Sequence, residues 1–73
     1  MQLYVLSDSE GMRLLTLTAQ DDDQLETDLI MFANAIAGAG GYSHVERKAE
    51  YWRVVYNRKQ AKERWLIVKR KGE

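Results

Sequence analysis

Residues 21–41, DDDQLETDLIMFANAIAGAGG, decide the fold because they are the one part of the chain with a helical pattern. Apolar residues recur there at the spacing of one helix face, at Leu25, Leu29, Phe32, Ala33 and Ile36. Residues 20–23 offer choices for the N-cap, and the acids of the first turn complement the positive end of the helix dipole. The glycine-rich residues 38–41 supply the left-handed backbone on which helices end. The stretch therefore predicts one helix from about residue 21 to about residue 38.

The chain before this helix has the pattern of a β-hairpin. Residues 2–7 (QLYVLS) and 12–18 (MRLLTLT) are rich in the aliphatic, aromatic and β-branched side chains of strands. Between them lies Asp8-Ser9-Glu10-Gly11, whose glycine can take the positive φ of a tight turn. We expect the two segments to pair as antiparallel strands.

Three further β-type segments follow the helix, at residues 42–47, 51–57 and 64–70. The polar residues 48–50 and 58–63 separate them, so we expect a meander of three strands. The predicted order is ββαβββ, which gives an α+β fold with an antiparallel sheet of about five strands and one helix packed on one face. We expect residues 1–73 to form a single domain.

Both faces of the predicted sheet carry apolar side chains. In a sheet covered on one side, apolar and polar residues should alternate. In strand 51–57, however, Trp52 and Val54 point one way while Tyr51 and Val55 point the other. A single helix can cover one face only. We expect the second face to be covered by curling of the sheet, by a second copy of the chain in a homodimer, or by a foreign partner.

The charges are divided unevenly along the chain. Residues 1–37 carry seven acidic residues against Arg13, and residues 38–73 carry ten basic residues against four acidic ones, although the net charge is zero. Five of the seven aromatic residues also lie in the basic half, namely Tyr42, Tyr51, Trp52, Tyr56 and Trp65. Cations interleaved with flat rings suit either nucleic acid or an acidic protein surface.

We expect this basic, aromatic half to contact the partner. The predicted contact residues are Arg53, Arg58, Lys59, Lys62, Arg64, Trp65, Lys69 and Arg70. A protein with an acidic surface is the favoured partner, because zero net charge and an acidic helix weaken attraction to phosphates. The alternative partner is single-stranded RNA or DNA, whose bases stack on exposed rings such as Tyr51 or Trp65. A third interpretation places the rings in the core, with long cationic stems covering the sheet.

The sequence holds no motif for a cofactor or a metal ion. The absence of cysteine excludes disulfides and thiolate metal sites. Asp21, Asp22 and Asp23, with Glu26 and Asp28, lack the spacing of a calcium loop, and the helix dipole accounts for them. The glycine-rich turn follows a helix, whereas a phosphate-binding loop precedes one. We therefore expect no cofactor and no metal.

His44 is the one histidine of the chain, and catalysis there would need a nucleophile or a carboxylate that converges on it. In a strand, Ser43 points to the opposite face. Glu46 shares the face of His44 and accounts for a surface ion pair as readily as for chemistry. We therefore expect no enzymatic activity.

The chain opens without a basic leader, and no segment approaches the ~18 apolar residues of a membrane span. We expect a cytoplasmic location and no membrane partner. Compact, cofactor-free modules of this size serve as inhibitors, adaptors or regulatory accessory proteins, including phage-encoded ones. The sequence thus predicts a small non-enzymatic binding module.

Overall fold

A computed structural model describes residues 1–71 and confirms the order ββαβββ. The elements are β1 (Gln2–Asp8), β2 (Arg13–Ala19), α1 (Asp22–Ala37), β3 (Tyr42–Arg47), β4 (Tyr51–Asn57) and β5 (Arg64–Arg70). In these residues the five strands form one antiparallel sheet in the order β2-β1-β5-β4-β3. The predicted α+β fold, with one helix on one face of the sheet, is confirmed.

The sheet joins two locally paired units through its first and last strands. β1 pairs with β2 as the predicted hairpin, and β3, β4 and β5 form the predicted meander. β1 also pairs with β5, in a register that sets Leu6 opposite Val68 and Asp8 opposite Leu66. This pairing places β5 in the middle of the sheet with β1 beside it, and it leaves β2 and β3 as the two edges.

Both ends of α1 are capped by residues that the sequence supplies. The Asp21 side chain accepts a hydrogen bond from the Gln24 backbone N–H at 2.8 Å, which satisfies one of the free donors of the first turn. Gly38 ends the helix at φ 73° and donates its N–H to the carbonyl of Asn34. Residue 41 has to be a glycine for steric reasons, because a Cβ there would lie 2.3 Å from the Ala37 carbonyl oxygen.

The hydrophobic core lies between α1 and the sheet. Alternate residues of the strands point towards the helix, and the core cluster contains Tyr4, Leu6, Ala19, Leu25, Leu29, Ala33, Trp52, Val54, Leu66 and Val68. Trp52 is its largest member, and its ring meets the ring of Tyr4 edge-on with centroids 5.7 Å apart. The helical pattern placed Phe32 on the buried face of α1. In the structure this residue lies at the margin of that face, and its exposed fraction is 39%.

The second face of the sheet, which we call the open face, points away from α1. Residues between the core positions of each strand lie on it, among them Val5, Tyr51, Val55 and Ile67. α1 is the one helix within residues 1–71, so no helix covers this face there. The expectation of apolar residues on both faces is confirmed.

Candidate docking surface on the open face

The open face carries a mixed surface of aliphatic, aromatic and cationic side chains. Strand register places in one row Val5, Lys69 and Tyr51, in the next Ser7, Ile67, Arg53 and Glu46, and in a third Trp65, Val55 and His44. Leu3 and Tyr42 lie at opposite margins and are both exposed. Val55 is only 2% exposed, so the open apolar area comes from Trp65, from the margins and from the partly exposed residues of the face. Apolar area bordered by charged groups is typical of a surface that binds another molecule.

Arg53 and Trp65 form the centre of this surface. The Arg53 guanidinium lies over the Trp65 ring, 5.0 Å from its centroid, in a cation–π contact. Glu46 contributes an oxygen 3.7 Å from Arg53 Nη1, so the guanidinium is held from two sides. Trp65 remains 38% exposed despite this contact. The pair therefore presents an aromatic ring and a guanidinium in a defined arrangement to a molecule that docks here.

His44 and Glu46 form a pair at the β3 side of the open face. His44 Nε2 lies 3.0 Å from Glu46 Oε2, and this hydrogen bond is the main cause that holds the pKa of Glu46 below its usual value. Ser43 points to the other face, as expected, where its hydroxyl donates to Asn34 at 2.7 Å. The residues next to His44 in the strand thus supply a carboxylate and no nucleophile.

Three polar atoms on the open face lack hydrogen-bond partners among the described residues: His44 Nδ1, Arg53 Nε and Asn57 Oδ1. All three are shielded from solvent. A shielded polar atom without a partner costs roughly 1–3 kcal/mol, so a rearrangement that pairs these atoms would be favourable. A docking molecule can therefore reach these atoms only after the groups that shield them move.

The predicted contact residue Arg70 lies elsewhere, on the helix side of the sheet. Its guanidinium binds the carboxylate of Asp22 through two nitrogens, with Nε 3.1 Å from Oδ2. Tyr4 donates its hydroxyl to the same carboxylate at 2.8 Å. The hydrogen bond from Arg70 is the main cause that lowers the pKa of Asp22, and it also raises the pKa of Arg70.

A second arginine extends this cluster at the start of α1. Arg47 Nη1 donates to Asp23 at 3.0 Å, and Arg47 and Arg70 both lie near the Trp52 ring, at 5.7 and 5.0 Å from its centroid. The Trp52 indole N–H donates to Glu26 at 3.3 Å. Acids from the first half of the chain and arginines from the second half therefore neutralise one another here. The fold cancels part of the charge division seen in the sequence.

The remaining predicted contact residues lie at the other end of the sheet, around the β4–β5 connection. Arg58, Lys62 and Arg64 line one pocket together with Tyr56. The stem of Lys59 packs near Gly40. The predicted contact residues thus divide into three groups: Arg53, Trp65 and Lys69 on the open face, the residues around the β4–β5 connection, and Arg70 in its pair with Asp22.

Sequence reasoning left aliphatic residues of the open face out of the predicted contact set. Val5 lies opposite Lys69, and Ile67 lies opposite Arg53. Tyr51, which the sequence offered only for the nucleic-acid alternative, extends the surface onto β4. The pattern that points to them is the lack of alternation along these strands, which was visible in the sequence. Composition alone favoured the charged residues.

No protein-family model, no curated protein and no solved structure matches the chain. Among residues 1–71, no helix combines the length and the apolar composition needed to cross a bilayer.

Proposed function

We propose that this protein is a non-enzymatic binding module that docks a protein partner through its open face. One observation carries the proposal: the sheet face opposite α1 combines apolar side chains with an arginine-stacked tryptophan that is still exposed. Tryptophan, tyrosine and arginine are the residues that dominate binding energy in protein interfaces. The surface supplies all three, through Trp65, Tyr51 and Arg53.

Charge indicates the chemistry of the partner. On the open face, Arg53 shares its charge with Glu46, whose oxygen lies 3.7 Å away, and Lys69 adds a further positive charge. The acids of α1 lie on the other side of the sheet, where Asp22 and Asp23 bind arginines. A partner with an acidic rim around an apolar centre complements this arrangement. An inhibitor, an adaptor or a regulatory accessory protein works by such docking, and a chain without cysteine suits the reducing cytoplasm.

Capture from the native cell with two matched variants tests the proposal. Trp65→Ala removes the centre of the open face, whereas Met31→Ala removes an exposed side chain of similar apolar character from α1. We expect a partner that wild type and Met31→Ala retain after nuclease treatment, and that Trp65→Ala loses. Titration calorimetry with the purified partner should then show at least about tenfold weaker binding for Trp65→Ala. Equal affinity of the two variants for that partner would contradict the proposal.

A specific observation favours single-stranded nucleic acid as the second candidate partner. Tyr51 and Trp65 share the open face with Arg53 and Lys69, and the acidic residues of α1 face away from it. Bases could stack on the rings while the cations contact phosphates. Fluorescence anisotropy with mixed-sequence oligonucleotides at two salt concentrations tests this. The hypothesis requires that the logarithm of the binding constant fall by several units per tenfold rise in salt concentration. It also requires weaker binding after Tyr51→Ala.

Self-association has its own surface, the free edge of β2. Residues 14–19 (LLTLTA) contain no charge and no proline, which are the usual protections of an edge strand. Next to this edge, an apolar groove of about 150 Å³ lies between Leu15, Leu17 and Phe32. We infer that a homodimer would form by antiparallel pairing of two β2 strands, because that pairing satisfies the free backbone groups of both edges.

A further inference from the structure

A pocket of about 300 Å³ opens at the end of the sheet beside the connection between β4 and β5. We call it the basic pocket, and its lining residues are Tyr56, Arg58, Ala61, Lys62 and Arg64. Tyr56 and Arg64 are directly opposite in the β4–β5 register and lie in the alternation that points to the side of α1. The basic pocket is therefore separate from the open face.

The backbone and the helix hold the pocket in shape. Arg58 Nε donates to the Ile36 carbonyl oxygen at 3.0 Å, which fixes the guanidinium against the last turn of α1. The two terminal nitrogens of Arg58 keep their hydrogen atoms for another acceptor. The connection is closed by a hydrogen bond from the Ala61 N–H to the Arg58 carbonyl, and Gln60 takes a left-handed φ of 64°. A positive φ at the third residue of a four-residue turn is the geometry of the turn itself.

The cations of the basic pocket have no acidic partner among residues 1–71. Arg47, Arg53 and Arg70 all lie within 4.0 Å of a carboxylate, but Arg58, Lys62 and Arg64 do not. Glu63 lies between two of them in the chain, yet it neither pairs with them nor lines the pocket. Three cations around one cavity repel one another, and a bound anion would relieve that repulsion.

We propose that the basic pocket binds a phosphate group. The lining residues that can donate hydrogen bonds come from β4, β5 and the connecting loop, namely Tyr56, Arg58, Lys62 and Arg64. An anion in the cavity would therefore have donor side chains on more than one side. A tetrahedral phosphate has enough oxygens and about two negative charges for such a set. A carboxylate is planar, and a single arginine satisfies both of its oxygens. The pocket therefore suits phosphate better than an acidic side chain.

An NMR titration of the ¹⁵N-labelled full chain with inorganic phosphate tests the proposal at constant ionic strength. We expect saturable amide shifts in residues 56–64 and in the last turn of α1, and no saturable shifts with acetate. Ribose 5-phosphate forms a second arm. If ribose 5-phosphate binds more tightly than inorganic phosphate, the ligand is identified as an organic phosphate. If the two compounds bind equally well, the ligand is identified as free phosphate. Either result supports the site.

Matched double variants link those shifts to the pocket. Lys62→Gln with Arg64→Gln removes two pocket cations, and Lys48→Gln with Lys71→Gln removes two exposed cations elsewhere. We expect the pocket variant to bind inorganic phosphate at least about tenfold more weakly, and the control to stay within about twofold of wild type. The proposal is overturned if phosphate gives no saturable shifts, if acetate gives the same shifts, or if both variants respond equally. Because the pocket lies away from the open face, none of these results bears on the proposed protein docking.

Discussion

Tyr4 connects the hydrophobic core to the charged cluster at the start of α1. Its ring is fully buried against Trp52, and its hydroxyl donates to Asp22. Burial, together with the hydrogen bond to Asp22 and the charge of that carboxylate, raises the pKa of Tyr4 to about 12. One side chain therefore couples packing to the ion pair between Asp22 and Arg70.

The free energy of unfolding should fall at high pH because of Tyr4. In the unfolded chain the phenol has its usual pKa of 10.0, whereas in the folded chain its pKa is about 12. Between these values the folded state holds more protons, so the stabilisation present below pH 10 is lost as the pH rises towards 12. Urea denaturation of wild type should give a free energy of unfolding that decreases over this range.

Tyr4→Phe and Tyr42→Phe separate this effect from other alkaline titrations. Tyr4→Phe should lose about 1–2 kcal/mol at neutral pH, since the hydrogen bond to Asp22 disappears, and its stability should depend less on pH above 10. Tyr42 is 55% exposed, so Tyr42→Phe should behave like wild type. If the free energy of unfolding of Tyr4→Phe decreases with pH as steeply as that of wild type, other groups cause the loss of stability at high pH.

At the scale of the elements, the contact between the end of α1 and β4 depends on one glycine. A Cβ at residue 41 would meet the carbonyl oxygens of Ala37 at 2.3 Å and of Asn57 at 2.7 Å. Both obstacles are backbone atoms, so neither can rotate away as a side chain would. The chain has to pass between α1 and β4 at this point in order to begin β3.

Gly41→Ala should therefore lower the free energy of unfolding by about 1–3 kcal/mol, because α1 and β4 must separate to admit the methyl group. Ala39→Ser changes an exposed residue in the same turn and should stay within about 0.5 kcal/mol of wild type. Thermal or urea denaturation of both variants measures the difference. Equal stabilities would mean that the turn relaxes freely.

At the scale of the whole molecule, the two edges of the sheet differ in protection. β3 carries His44, Glu46 and Arg47, whereas β2 has no charge after Arg13. Charged side chains discourage edge pairing, so β2 is the edge on which a second copy can add. Two sheets joined in this way would place two open faces side by side.

Thr16→Lys tests this assembly, because Thr16 is the central residue of β2 and two such lysines would lie close together across a twofold axis. If wild type forms dimers, light scattering after gel filtration should give a mass of twice the 8.5 kDa of one chain. Thr16→Lys should give the mass of a single chain. Thr27→Lys adds the same charge on the exposed side of α1 and should leave the dimer intact. A wild-type monomer at millimolar concentration would exclude pairing through β2.

The sequence alone determined the elements and their order. Each predicted strand and the helix end within about one residue of the observed bounds, because periodicity, caps and glycines act within a few neighbouring residues. The presence of apolar residues on both faces, which led to the open face, was also visible in single strands. These properties are local.

Only the tertiary structure decided which side chains share a surface. Lys69 and Arg70 are neighbours in the chain, yet one lies on the open face and the other binds Asp22 on the helix side. Their separation follows from strand alternation combined with the side on which α1 packs, and pairing of β1 with β5 brings together residues more than 60 positions apart. Such contacts depend on the closure of the whole sheet, so neither the composition nor the spacing of the cations could predict them.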